Sequence, residues 1–105
     1  MTGPLNASPG LPGGIYSVLD ITAAAVIKSA PGILACVLIQ IVGSAGSLVL
    51  NDCATTGAAT VANQVINLAY SKLSPAQTIT LQWPCQAGIV VSALPTGAQV
   101  SIAFT

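Results

Sequence analysis

The sequence predicts an all-β chain, a sandwich or small barrel of short strands, and three observations carry that prediction. Short apolar runs follow one another along residues 15–105, and several of them alternate apolar and polar side chains with a period of two. Clusters of Gly, Pro, Asn and Ser separate the runs at short intervals. No stretch combines the length, charge pattern and caps of an amphipathic helix.

Taken in order, residues 1–14 (MTGPLNASPGLPGG) hold three prolines and four glycines, which predicts an extended arm outside the packed core. They show neither the basic nor the apolar region of a signal peptide. A single domain, 15–105, follows. IYSVLDI (15–21) and AAAVIKSA (23–30) are the first runs, and Pro31-Gly32 marks a turn. ILACVLIQIV (33–42) is continuously apolar, as a strand buried on both faces would be. SLVLN (47–51) returns after GSAGS, so 33–50 is expected to form a hairpin.

ANQVINLAYS (62–71) fits either a helix or a strand. TITLQWP (78–84) sets Ile79, Leu81 and Trp83 against Thr78, Thr80 and Gln82, with Trp83 expected in the core at the strand's end. GIVVSAL (88–94) leads to the turn Pro95-Thr96-Gly97, and QVSIAFT (99–105) alternates Val100, Ile102 and Phe104 with polar or small residues. Seven or eight such strands suit a sandwich or small barrel.

The uncharged stretch 33–50 is nearly long enough to span a bilayer. Gly43, Ser44, Gly46 and Ser47 interrupt it, and Lys28 is the sole nearby cation, so no membrane span is expected.

Composition narrows function. Hydrophobic residues make up 53% of the chain and charged residues 4%, against about 25% in soluble domains. The charges are Asp20, Lys28, Asp52 and Lys72, and the formal net charge is zero. So neutral a surface suits a chain packed against other subunits. Two separated lysines cannot form the basic patch that nucleic acid requires. Without His, the commonest general base is missing. Cys36, Cys53 and Cys85 lack the spacing and companions of a zinc site, so neither metal nor cofactor is expected. Free thiols are the favoured state, with Cys53 and Cys85 the better pair should a bridge form.

The most polar stretch is NDCATTGAATVANQ (51–64). As a nucleophile, Cys53 would need a nearby base or cation, yet Asp52 beside it opposes the thiolate. Thr55 and Thr56 have only Lys28 or Lys72 as a base, and Asp20 and Asp52 would have to converge to form a dyad. A phosphate loop would need a lysine that ATTGAAT lacks. The expected reading is a loop in which Asn51 and Asp52 bond their own local backbone and Asn63-Gln64 start the next element. No catalytic residue is expected, and the chain is read as a non-enzyme.

Several stretches together resemble a family of small accessory virion proteins of tailed bacteriophages: DITAAAVIKSAPG, GSAGSLVLNDCATTGAA, ANQV, WPCQAGIVV and GAQVSIAFT. The resemblance spans about residues 15–105, with NDCATTGAA and WPCQAGIVV its most specific parts. It implies a non-enzymatic capsid decoration or cement protein, a small antiparallel β-sandwich of jelly-roll-like form that forms a homo-oligomer, with a trimer favoured, and binds the major capsid protein or other virion proteins. Its location would be the virion, assembled in the host cytoplasm, with no nucleic acid or membrane as partner. On that reading Pro4, Leu5, Pro9, Leu11 and Pro12 of the arm contact a capsid subunit or a sister copy. Two alternatives are a tail or baseplate component of the same fold and a carbohydrate-binding module with Trp83, Tyr16 and Tyr70 as platforms.

Overall fold

The apolar runs become eight strands in the computed structural model, which describes residues 16–105. They are β1 (Tyr16–Ile21), β2 (Ala25–Lys28), β3 (Gly32–Ile41), β4 (Ser47–Asn51), β5 (Gln64–Ala69), β6 (Thr78–Cys85), β7 (Ile89–Ala93) and β8 (Gln99–Phe104). The ambiguous run around Val65 is thus a strand. Short 3-10 turns occupy Thr56–Ala58, Val61–Asn63 and Tyr70–Lys72, and no α-helix occurs among the described residues. The arm, including Pro4, Leu5, Pro9, Leu11 and Pro12, lies outside the described residues.

Pairing is antiparallel throughout and nested: β4 with β5, β3 with β6, β2 with β7, β1 with β8. Two further pairings, β3 with β8 and β4 with β7, roll this ribbon into sheets of order β1-β8-β3-β6 and β2-β7-β4-β5. That order is a jelly roll. The core lies between the sheets. Val37, Ile39, Val100 and Ile102 come from the first, Leu48, Leu50, Ile89 and Val91 from the second, and all are at most 1% exposed. Burying each such side chain stabilises the fold by about 1.5–3 kcal/mol.

Three expectations are corrected. Residues 33–50 do not form a hairpin, because β3 and β4 lie in different sheets and share no pairing. Gly43 (φ 88°) and Gly46 (φ 95°) adopt left-handed conformations that side chains oppose, and the chain crosses between sheets there. β3 is buried on both faces only at its start. Leu38 and Ile41 are 38% and 51% exposed because no element among the described residues covers the outer face of the first sheet there. Trp83 is not a core residue; it is 52% exposed. Gln82 has φ 49°, a left-handed residue within β6, and the period of two that places Ile79 and Leu81 against the core breaks at that point.

The two ends of the sandwich differ. At one, the β3–β4 and β7–β8 connections are tied by Ser44 N–H to Thr96 O (3.0 Å) and Thr96 N–H to Ala45 O (2.8 Å). At the other, Tyr16 pairs with Phe104, their ring centroids 5.6 Å apart, near the β2–β3, β4–β5 and β6–β7 connections. No helix among the described residues is long and apolar enough to cross a membrane.

Candidate functional site

The polar stretch 51–64 is the β4–β5 connection, the tip of the rolled ribbon. Asp52 does not close a local Asx turn. Its carboxylate accepts hydrogen bonds from the backbone N–H groups of Gln86 (2.8 Å), Ala87 (2.8 Å) and Gly88 (3.3 Å), in the β6–β7 turn. Burial pushes the carboxyl pKa up, but the three N–H donors outweigh it and hold it below the ordinary value. The group clamps two connections, with both carboxylate oxygens engaged. Gly88 permits the approach: a Cβ there would lie 2.4 Å from Cys53 O and 2.6 Å from Lys28 O.

Asn51 likewise bonds across the structure rather than locally. It is 2% exposed, and its Nδ2 donates to Thr60 O (2.9 Å) and Asn63 Oδ1 (2.6 Å). Its Oδ1 accepts from Ser92 Oγ at 2.5 Å. Asn63 Oδ1 also accepts from Thr60 N–H (3.0 Å), and its Nδ2 donates to Ala58 O (3.0 Å). This network lays the loop over the outer face of the second sheet, where Val90 is fully buried. Between loop and sheet is an open, mostly polar pocket of about 420 Å³ bordered by Thr56, Thr60, Gln64 and Ser92. The Asn51 amide at its floor has both donors and its oxygen engaged.

All three cysteines are free. Cys53 and Cys85 are 4% and 3% exposed, and Cys53 Sγ donates to Thr55 O at 3.3 Å. Burial, then the charges of Asp52 and Cys53, push the Cys85 thiol up to about 11. Such a thiol is a poor nucleophile at neutral pH.

The other sequence candidates do not converge. Asp20 sits in β1 at φ 57° and accepts from Gln99 Nε2 (2.7 Å), toward the end opposite Asp52. Lys28 Nζ donates to Thr105 O (3.1 Å), and no hydrogen bond joins a lysine to a Ser or Thr hydroxyl among the described residues. No three of His, Cys, Asp and Glu come together there as a metal-binding group. Tyr16 and Trp83 share a row, Tyr16–Phe104–Leu34–Trp83, at opposite edges of the first sheet. Three strand spacings put them about 14 Å apart. Tyr70 lies at the other end, its N–H donating to Gly46 O (2.9 Å). The three aromatics form no common platform.

What sequence reasoning missed is the outer face of the first sheet. Ser17 and Leu19 of β1, Cys36 and Leu38 of β3, Thr78 of β6 and Ala103 of β8 line an apolar groove of about 280 Å³. None of its lining residues carries a charge. Leu19 is 66% exposed. The signal was present: in β3, apolar residues occupy both parities of the alternation, Leu38 as well as Val37 and Ile39, although no element among the described residues covers one face.

The chain matches no family model, no curated protein and no solved structure.

Proposed function

We propose that the protein is a non-enzymatic structural component of a tailed-bacteriophage virion, binding the assembled capsid as a decoration or cement protein. The observation that carries this reading is the outer face of the first sheet. It is a neutral surface with a groove and exposed Leu19, Leu38 and Ile41, on a chain with only four charged side chains. Apolar patches of this kind mark association surfaces. The resemblance across residues 15–105 supplies the virion context, and three free thiols accord with assembly in a reducing host cytoplasm.

On this reading the protein acts as a homo-oligomer, a trimer, seated against the major capsid protein. Pro4, Leu5, Pro9, Leu11 and Pro12 of the arm contribute shell or sister contacts. Binding that favours the assembled shell stabilises it by mass action. Quantitative mass spectrometry of purified virions tests the proposal. A copy number near that of the major capsid protein, or about one third of it, is the expected result. A handful of copies per particle would move the protein to the tail or baseplate, and absence from the virion would overturn both.

Half-exposed Trp83 favours one competing reading, glycan binding. Its separation from Tyr16 and Tyr70 leaves a single ring to stack on a sugar. Glycan binding by the purified protein, lost in Trp83→Ala with the fold intact, would support that reading instead.

A further inference from the structure

We propose that the pocket between the ribbon-tip loop and the outer face of the second sheet binds a neutral saccharide unit, held by Thr56, Gln64 and Ser92. At about 420 Å³ it falls in the range of small-molecule sites, and its lining carries neither a charge nor an aromatic ring. An anion would find no cation there, a nucleobase no stacking partner, and a lipid chain too little apolar wall. A ring of uncharged hydroxyls is the chemistry that matches the lining.

The floor is fixed before any ligand arrives. Ser92 Oγ donates to Asn51 Oδ1 at 2.5 Å, while Asn51 Nδ2 donates to Thr60 O and Asn63 Oδ1. Asn51 is 2% exposed, and with both its donors and its oxygen engaged its amide is not free to turn towards a ligand. It orients the Ser92 hydroxyl instead. With its proton committed to Asn51, Ser92 offers the pocket an acceptor.

Gln64 supplies the donor. Its Oε1 accepts from Asn67 Nδ2 at 3.5 Å, and its NH2 group has no partner among the described residues. The exposed Thr56 hydroxyl can donate or accept. A sugar hydroxyl does both, so two neighbouring hydroxyls satisfy Gln64 and Ser92 together. Ala59 and Val61, the latter 84% exposed, add small apolar surface that suits the C–H face of a pyranose ring. Groups held in place in this way lower the ordering cost of binding. The site is separate from Trp83, which lies in β6 of the first sheet. Its failure would leave the virion reading, which copy number decides, untouched.

The test titrates the isotope-labelled full chain with glucose, galactose, mannose and N-acetylglucosamine, and with glycerol as a polyol without a ring, following backbone amide shifts by NMR. The expected result is a saturable shift at Thr56, Thr60, Gln64 and Ser92 with at least one of the sugars, at the millimolar affinity of a small polar ligand. Affinity should fall by about three- to tenfold in Gln64→Ala and in Thr56→Val, as loss of one hydrogen bond predicts, and stay unchanged in Trp83→Ala. Unmoved amide signals in β3 and β8 report an intact fold in each variant. No saturable shift with any of the sugars would overturn the proposal. So would an equal response to glycerol, or wild-type affinity in both pocket variants. Shifts centred on Trp83 and lost in Trp83→Ala would overturn it as well, and would support the competing glycan reading.

Discussion

The Asp52 carboxylate accepts the backbone N–H of Gln86 at 2.8 Å, joining residues 34 positions apart in the chain. With Ala87 and Gly88 as further donors, one side chain holds the ribbon tip against the β6–β7 turn. Asp52→Ala leaves these donors to water and is expected to lower stability by about 1–2 kcal/mol, because the bonds to Gln86 and Ala87 are exposed. Urea unfolding of the two proteins measures it.

The same residue sets an acid limb. Its folded pKa lies below the unfolded value of about 3.9, so its contribution is fully present above that pH. It is lost as pH falls through the folded pKa. Unfolding free energy should therefore drop below about pH 4 in the wild type, and this component of the drop should be missing in Asp52→Asn.

Cys85 sets an alkaline limb of opposite sign. Its folded pKa of about 11 exceeds the unfolded value, about 8.5, so above that pH the unfolded chain sheds its proton first. Stability should fall as pH rises from about 8.5 towards 11, and Cys85→Ala should flatten the slope. In a Cys36→Ser background, neither remaining thiol should react in the native protein at pH 8, and both should react in denaturant.

Glycine substitutions separate packing from loop freedom. Gly88→Ala places a Cβ against the backbone oxygens of Cys53 and Lys28 and should cost at least about 2 kcal/mol. Gly57→Ala meets nothing within 4 Å and should change stability by less than about 0.5 kcal/mol. Thermal unfolding of both variants checks the contrast.

Asn51→Ala removes the partner of Ser92, Thr60 and Asn63 at once. A loss of about 2–3 kcal/mol is expected, together with faster amide exchange at Asn63, whose N–H donates to Thr60 O. Exchange elsewhere in β3 and β8 should change only through the global stability.

The strands were legible because alternation and turn residues are local properties: Val100, Ile102 and Ile79 face the core as their spacing implies. The GSAGS stretch was misread because a hairpin and a crossover both need flexible glycines, and they differ only in which distant strands β3 and β4 join. Trp83 was misplaced by the left-handed Gln82, a conformation that its residue type does not announce. At the candidate sites, Asn51 and Asp52 stood out as polar residues in an apolar chain. Their partners, Ser92 and Gln86, lie too far along the sequence for spacing to reveal. The groove escaped notice because Leu19 and Leu38 gather only once β1, β8 and β3 are side by side.

The nesting of the strand pairs also grades the cost of closing them. β4 and β5 can pair with only the tip loop between them, whereas the β1–β8 pairing encloses the whole ribbon and carries the largest loop-closure cost. Each outward step encloses a longer loop, and chains dominated by such distant pairings refold in milliseconds to seconds rather than microseconds. During that wait β8 presents an unpaired edge beside Val100 and Ile102, in a chain with few charges to keep copies apart. Slower synthesis or lower concentration is therefore expected to raise the yield of folded protein, measured as the soluble fraction after refolding.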